Sequence, residues 1–330
     1  MNLGRQFAFL CGIKESKNYF IAKNTADHIY QGSRAIRDLE ITQYLDQHVH
    51  NTNYNNNWHM QKVFVNEFAN WLGLDLKNFD ADYSAGTTQS FDSFYFRHRH
   101  RRFRCYVGEY FYHLKNWISN NVDWSFIYDN DPLSKGDALV ISYPFCDSGD
   151  FYDLEDILEI CNQLSIPVLI DMAYYCLTET PEVNFNFECI DTVAFSLSKI
   201  FPVANYRVGV RYTKKSIFDG QKLHDQINYN NYASCYLGFK LIENFSRDFI
   251  HNKYKNKQQE VVKFFGLEKS NSVIFSVGDK DWDIYSRRTL LNEYKLDISS
   301  DLFKNRICLN PVFENWNLFR EFVNESNTCI

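Results

Sequence analysis

The chain has 330 residues, of which 45% are hydrophobic and 23% charged, with a formal net charge of −6 at pH 7. That length buries a substantial core in one large domain or two, and the 17% aromatic content excludes a disordered composition. The acidic balance gives no electrostatic reason to bind a polyanion.

One run breaks the acidic trend: Arg97-His98-Arg99-His100-Arg101-Arg102-Phe103-Arg104. It reads either as a nucleic-acid patch or as a charged helix end and turn before a strand, where cations suit the helix C-terminus. The second reading is preferred, and no nucleic-acid partner is expected. Nine cysteines are scattered without regular spacing and none forms Cys-x-x-Cys. An odd count in a chain of this size points to free thiols in a reducing compartment, and no metal site is expected. Cys161 and Cys189 lie in apolar patterns and read as packing residues. No apolar run is long enough to cross a bilayer. The apolar stretch within Met1 to Leu10 is too short for a signal peptide. The expectation is a soluble, cytoplasmic protein with no membrane contact.

In chain order, the polar stretch 51–57 reads as a loop. Met60, Phe64, Phe68, Trp71 and Leu72 then recur at helical spacing, with Gly73 as the stop. Tyr83-Ser84-Ala85-Gly86-Thr87-Thr88 is a small-residue turn opening a helix. Phe103 to Val107 reads as a strand, Tyr110 to Ser119 as a helix and Asp137 to Ser142 as a short apolar strand. Leu154, Ile157, Leu158, Cys161 and Leu164 line a helix face, with Asp153 as its N-cap. Pro167 to Ile170 is a buried-type strand ending at Asp171. Thr192 to Leu197 and Tyr206 to Tyr212 follow as strands. Short apolar strands alternating with helices argue for an α/β domain with a mainly parallel sheet. Ligands collect at the carboxyl ends of such strands; Asp171, Ser196 and Lys199 lie at or just past predicted ends. Beyond about residue 216 a largely helical stretch runs to Gly266. Strand-like runs at Ser272 to Val277 and Arg306 to Leu309, and a helix from about Phe313, complete a smaller α+β domain. The segment 1–40 is expected to pack with that smaller domain, leaving 41–215 as the large domain and 216–330 as the connecting helix and small C-terminal domain.

A lysine that forms a Schiff base needs an accessible, deprotonated amine, which burial and neighbouring cations promote. Lys199 sits among hydroxyls and apolar residues in Phe195-Ser196-Leu197-Ser198-Lys199-Ile200-Phe201, with Arg207-Val208-Gly209 eight residues on. Upstream, Asp171-Met172-Ala173-Tyr174 closes an apolar strand. Gly86-Thr87-Thr88 opens a helix, where free backbone N–H groups suit a phosphate. Each feature alone has an ordinary reading: a strand-end lysine, an aspartate ending a strand, a turn. Their co-occurrence in this order carries the signal.

As a set these residues resemble the cofactor site of the class I/II (fold type I) pyridoxal-phosphate-dependent aminotransferases. The similarity covers about residues 83 to 212, with a fainter match near 306. It implies a fold type I transferase, with a mainly parallel large domain and a smaller C-terminal domain. It implies that Lys199 holds the cofactor aldehyde as a Schiff base, that Ser196, Ser198 and Arg207 surround the phosphate, and that Gly86, Thr87 and Thr88 form a phosphate loop. It places Asp171 at the pyridine nitrogen and Tyr174 at the phenolic oxygen. Tyr110, in an aromatic-crowded segment where core packing is the alternative, stacks on the ring. Arg306 clamps a substrate carboxylate. Ser142-Tyr143-Pro144-Phe145-Cys146-Asp147-Ser148-Gly149 departs from the pattern, with Cys146 where the family carries an asparagine. The implied activity is amino transfer between a small-molecule amino donor and a keto acceptor, in a homodimer. Other chemistry on the same cofactor (a decarboxylase, lyase or cyclase in a biosynthetic pathway) and a non-catalytic cofactor-binding protein are the alternatives.

Overall fold

The computed structural model describes residues 33–50, 59–285, 305–317 and 320; the expected loop at 51–57 lies outside them. Ten strands and nine helices are described. They are, in chain order, α1 (Leu39–Val49), α2 (Met60–Leu72), β1 (Phe79–Ser84), α3 (Thr87–His98), β2 (Arg102–Cys105), α4 (Tyr112–Ser119), β3 (Trp124–Phe126), β4 (Asp137–Ser142), α5 (Leu154–Leu164), β5 (Val168–Asp171), β6 (Ile190–Ser196), β7 (Gly209–Lys214), α6 (Gly220–Gln226), α7 (Tyr232–Asn244), α8 (Phe249–Phe265), β8 (Glu268–Lys269), β9 (Phe275–Gly278), β10 (Asn305–Cys308) and α9 (310–317).

Alternating faces build the main sheet. Leu139 and Ile141 of β4 join one apolar cluster, while Ala138 and Val140 join the other. A strand buried on both sides has no polar face to show, which is why β4 reads as a continuous apolar run. One cluster is covered by α2, α5 and α7, the other by α3 and α4. The helices end where their chemistry says. Asp153 caps α5 by accepting the Asp156 N–H. Gly73 ends α2 and Gly266 ends α8, both in the left-handed conformation.

The seven-stranded sheet has the order β1-β7-β6-β5-β4-β2-β3. The β3, β2, β4, β5 and β6 strands run parallel, and β7 is antiparallel to both its neighbours. The expected mainly parallel sheet is therefore present. Its register places the site. Ser84 and Ser196 both pair with Gly209 across β1, β7 and β6. Ser142, Asp171 and Ala194 align across β4, β5 and β6. These two rows put the ends of β1, β4, β5 and β6 and the start of β7 along one sheet edge. A second sheet, β10-β9-β8, is antiparallel.

Some expectations shift. The expected strand from Tyr206 begins only at Gly209, because Tyr206 closes a short 3-10 turn and Arg207 adopts the left-handed conformation. The run from Ser272 is strand only from Phe275, since Ser272 and Val273 give their N–H groups to the loop carbonyls of Gly149 and Leu177. The strand Phe79–Ser84 is not among the expected elements: its residues alternate apolar and polar, but two of its six are aspartates, which strands disfavour.

Much of the basic run is taken up in ion pairs of the fold, while Arg99 and His100 stay exposed. Arg104 is fully buried, donating to Asp137 and to the carbonyls of Phe126 and Asp131. Arg97 pairs with Asp191 and Asp219, Arg102 with Asp137, and Arg99 lies over the Phe96 ring. Among the described residues, no helix is long and apolar enough to cross a membrane.

Candidate active site

The turn after β6 carries Lys199. Ser198 N–H is accepted by the Ser196 hydroxyl at 3.1 Å, and that hydroxyl donates to Ser198 Oγ at 2.9 Å. This hydroxyl pair tightens the 196–199 turn and leaves the lysine projecting past the strand end. Lys199 Nζ donates to the carbonyl of Ser33 at 2.5 Å. Ser33 Oγ in turn bonds the Tyr174 hydroxyl at 2.5 Å. Asp171 ends β5, is 4% exposed, and accepts Ala173 N–H at 3.0 Å. Burial pushes the Asp171 carboxyl up to about 7, against the pull of Lys199. Burial, reinforced by the Arg306 charge, holds the Lys199 amine below its ordinary value. Desolvation thus outweighs the attraction between the two, and each leans to its neutral form.

Arg207 comes from the turn before β7. Its left-handed backbone, at φ 56°, aims the guanidinium back at the β1–α3 turn, where Nη2 donates to Thr88 Oγ1 at 3.1 Å. Gly86, at φ 76°, lies directly beneath: a Cβ there would overlap Arg207 Nη2. The Tyr83 hydroxyl fixes the turn by donating to Arg207 O at 2.8 Å. The first turn of α3, beginning at Thr87, has no side-chain cap. Its backbone N–H groups, Thr88, Ser196 and Arg207 together form a group suited to a phosphate.

Tyr110, 36% exposed, stands edge-on to Phe91 and His113. Partial burial pushes its hydroxyl up; Asp171 and Cys146 are close enough to add to that shift and Arg207 to oppose it. Arg306, 4% exposed, enters from β10. Its guanidinium lies 4.3 Å from the Phe275 ring centroid and donates to the carbonyl of Cys146. Cys146 Sγ is 3.7 Å from Arg306 Nη1.

The fold therefore gathers onto one sheet edge the residues named from the sequence: Gly86, Thr87, Thr88, Tyr110, Cys146, Asp171, Tyr174, Ser196, Ser198, Lys199, Arg207 and Arg306. Sequence reasoning misses Ser33, which meets both Lys199 and Tyr174, because it acts partly through its carbonyl and no motif surrounds it. It also misses Glu109 and Ser142. A carboxylate placed between Gly108 and a run of aromatics is the one signal that points to Glu109.

The mainly parallel sheet with this crossover order is the fold of the type I aminotransferases. A family model, aminotransferase class I and II, matches residues 57–240, and the chain belongs to that family. It is a pyridoxal-phosphate-dependent aminotransferase-type enzyme. No curated protein sequence matches the chain. Among solved structures it is similar to N-succinyldiaminopimelate aminotransferase from Mycobacterium tuberculosis, at 11% identity and a TM-score of 0.64, covering 93% of this chain and 97% of that one. It is also similar to the histidinol-phosphate aminotransferase from Clostridium acetobutylicum, at 15% identity and a TM-score of 0.58, covering 90% and 98%. The aromatic aminotransferase from Pyrococcus horikoshii OT3 aligns at 13% identity and a TM-score of 0.59, covering 90% and 96%. At these identities the likeness is one of fold.

Proposed function

We propose that the chain moves an amino group between an amino acid, or a related amine, and a keto acid, with Lys199 as the residue that holds the cofactor aldehyde. One observation carries this: a half-buried lysine just past β6, its amine held below its ordinary value, beside the buried Asp171 that ends the adjacent strand β5. Bound pyridoxal phosphate supplies an electron sink for negative charge at the substrate α-carbon.

The residues present fit that group. The uncapped first turn of α3, Thr88, Ser196, Ser198 and the Arg207 guanidinium packed over Gly86 would receive the phosphate. Asp171 receives the ring nitrogen; a cation set against it lowers its value again and offsets the cost of its burial. Tyr174, held by Ser33, would bond the phenolic oxygen, and Tyr110 would stack on the ring. Arg306, braced by Phe275 and the Cys146 carbonyl, is the cation available to a substrate carboxylate. Lys199 Nζ, once released, is the base that takes the α-proton and returns it.

Borohydride reduction followed by peptide mapping tests the reading, with the label expected on Lys199. Lys199→Ala is expected to lose both turnover and the visible absorbance of the holoprotein. A yellow, active Lys199→Ala enzyme refutes the assignment. Keto-acid release from labelled amino acids, with and without an acceptor, separates amino transfer from decarboxylation or elimination.

Two further readings go with it. Phe96, Phe218, Leu223, Ile227 and Tyr229 are exposed on and around α3 and α6, beside a cleft of about 660 Å³, which supports a homodimer through this face. The seven described cysteines are buried and none is in a disulfide, which supports residence in a reducing compartment such as the cytoplasm.

A further inference from the structure

Strand β4 ends at Ser142, but its neighbour β2 has already stopped at Cys105 and its ladder with β4 closes at Leu139. Leu139 N–H and Tyr143 N–H point to β5, bonding Pro167 O and Asp171 O, each at 2.9 Å. By alternation, Ser142 N–H points the other way, where no β2 backbone remains to receive it. Glu109 supplies the acceptor. Its Oε1 takes Ser142 N–H at 2.8 Å and its Oε2 takes the Ser142 hydroxyl at 2.5 Å. Ser142 Oγ then accepts Cys146 N–H at 2.7 Å, and the Cys146 carbonyl receives the Arg306 guanidinium. Glu109 is 5% exposed, and Tyr110 is the next residue. Before it, Gly108 sits at φ 102°, and a Cβ there would stand 2.6 Å from Asp147 Cβ. The 107–110 turn is thus pressed against the 145–147 turn, with the carboxylate as the bond between them.

We propose that Glu109 is a positioning residue: through Ser142 it fixes the Tyr110 and Cys146 turns to each other and so docks Arg306 beside Lys199. Its kinetic consequence rests on the reading of Arg306 given above; its structural consequence does not. Without the carboxylate, Ser142 N–H is buried with no acceptor and the hydroxyl is free to rotate off Cys146.

The test alkylates the holoenzyme with iodoacetamide and follows each cysteine by peptide mass spectrometry. In Glu109→Ala the rate at Cys146 is expected to rise at least about tenfold, the loss of roughly one buried hydrogen bond, while Cys161 and Cys235 keep their rates. Glu109→Gln, whose amide oxygen still accepts Ser142 N–H, recovers most of the protection. Ser142→Ala cuts the same link from the other side, gives the same selective rise and stands in if Glu109→Ala does not fold. The KM for an amino-acid donor rises more than kcat falls in Glu109→Ala, and that rise vanishes in an Arg306→Gln background. An unchanged Cys146, or an equal rise at every buried thiol, overturns the proposal. If Arg306→Gln alone leaves the donor KM unmoved, it is the carboxylate-clamp reading that fails, and the thiol rates alone decide the role of Glu109.

Discussion

Asp171 and Lys199 show what burial does to ionisable groups when desolvation outweighs their mutual attraction. The Asp171 carboxyl titrates at about 7 in the fold, against about 4 in an unfolded chain. Between those values the folded protein holds a proton that the unfolded chain has released, so stability is lost as pH rises through that window and the loss is complete above it. Cofactor-free Asp171→Asn is therefore expected to be more stable than wild type by roughly 2–4 kcal/mol at pH 8, with a smaller gap at pH 5. Urea unfolding at the two pH values measures this, and a gap that does not widen with pH contradicts it. Added pyridoxal phosphate is expected to stabilise wild type more than the variant, since only the carboxylate can pair with a cationic ring nitrogen. Lys199, Asp171 and Arg207 are legible in the sequence because their chemistry demands a residue type at a spacing. Ser33 and Ser142 act through backbone groups as well as their hydroxyls, and no motif spacing ties either to its partners, so residue type alone does not announce them.

The elements are held to one another by buried charge as much as by apolar packing. Arg211 of β7 has no exposed side-chain surface and pairs with Asp82 of β1 and Asp219 ahead of α6, each at 2.7 Å. Asp219 also takes Arg97 from α3 and the Ser93 hydroxyl. Burial raises its carboxyl, but the Arg211 bonds and the other donors outweigh that and hold it well below the usual range. Asp219→Ala takes from Arg211 and from Arg97 one of two carboxylate partners each and is expected to cost about 3 kcal/mol, read from denaturant unfolding at pH 7. A cost under about 1 kcal/mol, the scale of an exposed pair, shows that water replaces the carboxylate. Strands β4 and β5 and helices α2 and α5 are plain in the sequence, where apolar period and capping residues agree. Strand β1 is not, because Phe79-Asp80-Ala81-Asp82-Tyr83-Ser84 places two aspartates in a strand, and only Arg211 across the sheet makes Asp82 tolerable there.

For the whole molecule, Phe96, Phe218, Leu223, Ile227 and Tyr229 form a group of exposed apolar side chains around α3 and α6, while the other exposed ones among the described residues are scattered. A second copy of the chain is the partner we propose for that face, so light scattering at micromolar concentration is expected to report a dimer. Phe218→Glu combined with Tyr229→Glu is expected to shift it to monomer without unfolding, because both side chains are exposed in the single chain. A wild type that is monomeric at that concentration removes the proposal. The alternation of strands and helices from β4 to β7, and the residue types able to hold pyridoxal phosphate, were determined by the sequence alone, since apolar period and motif spacing are local properties. Which of those residues meet was decided only by the tertiary structure. Sheet register aligns Ser84, Gly209 and Ser196 in one row and Ser142, Asp171 and Ala194 in another. Contacts between segments more than a hundred residues apart, such as Lys199 with Ser33 and Arg306 with Cys146, leave no local pattern to read.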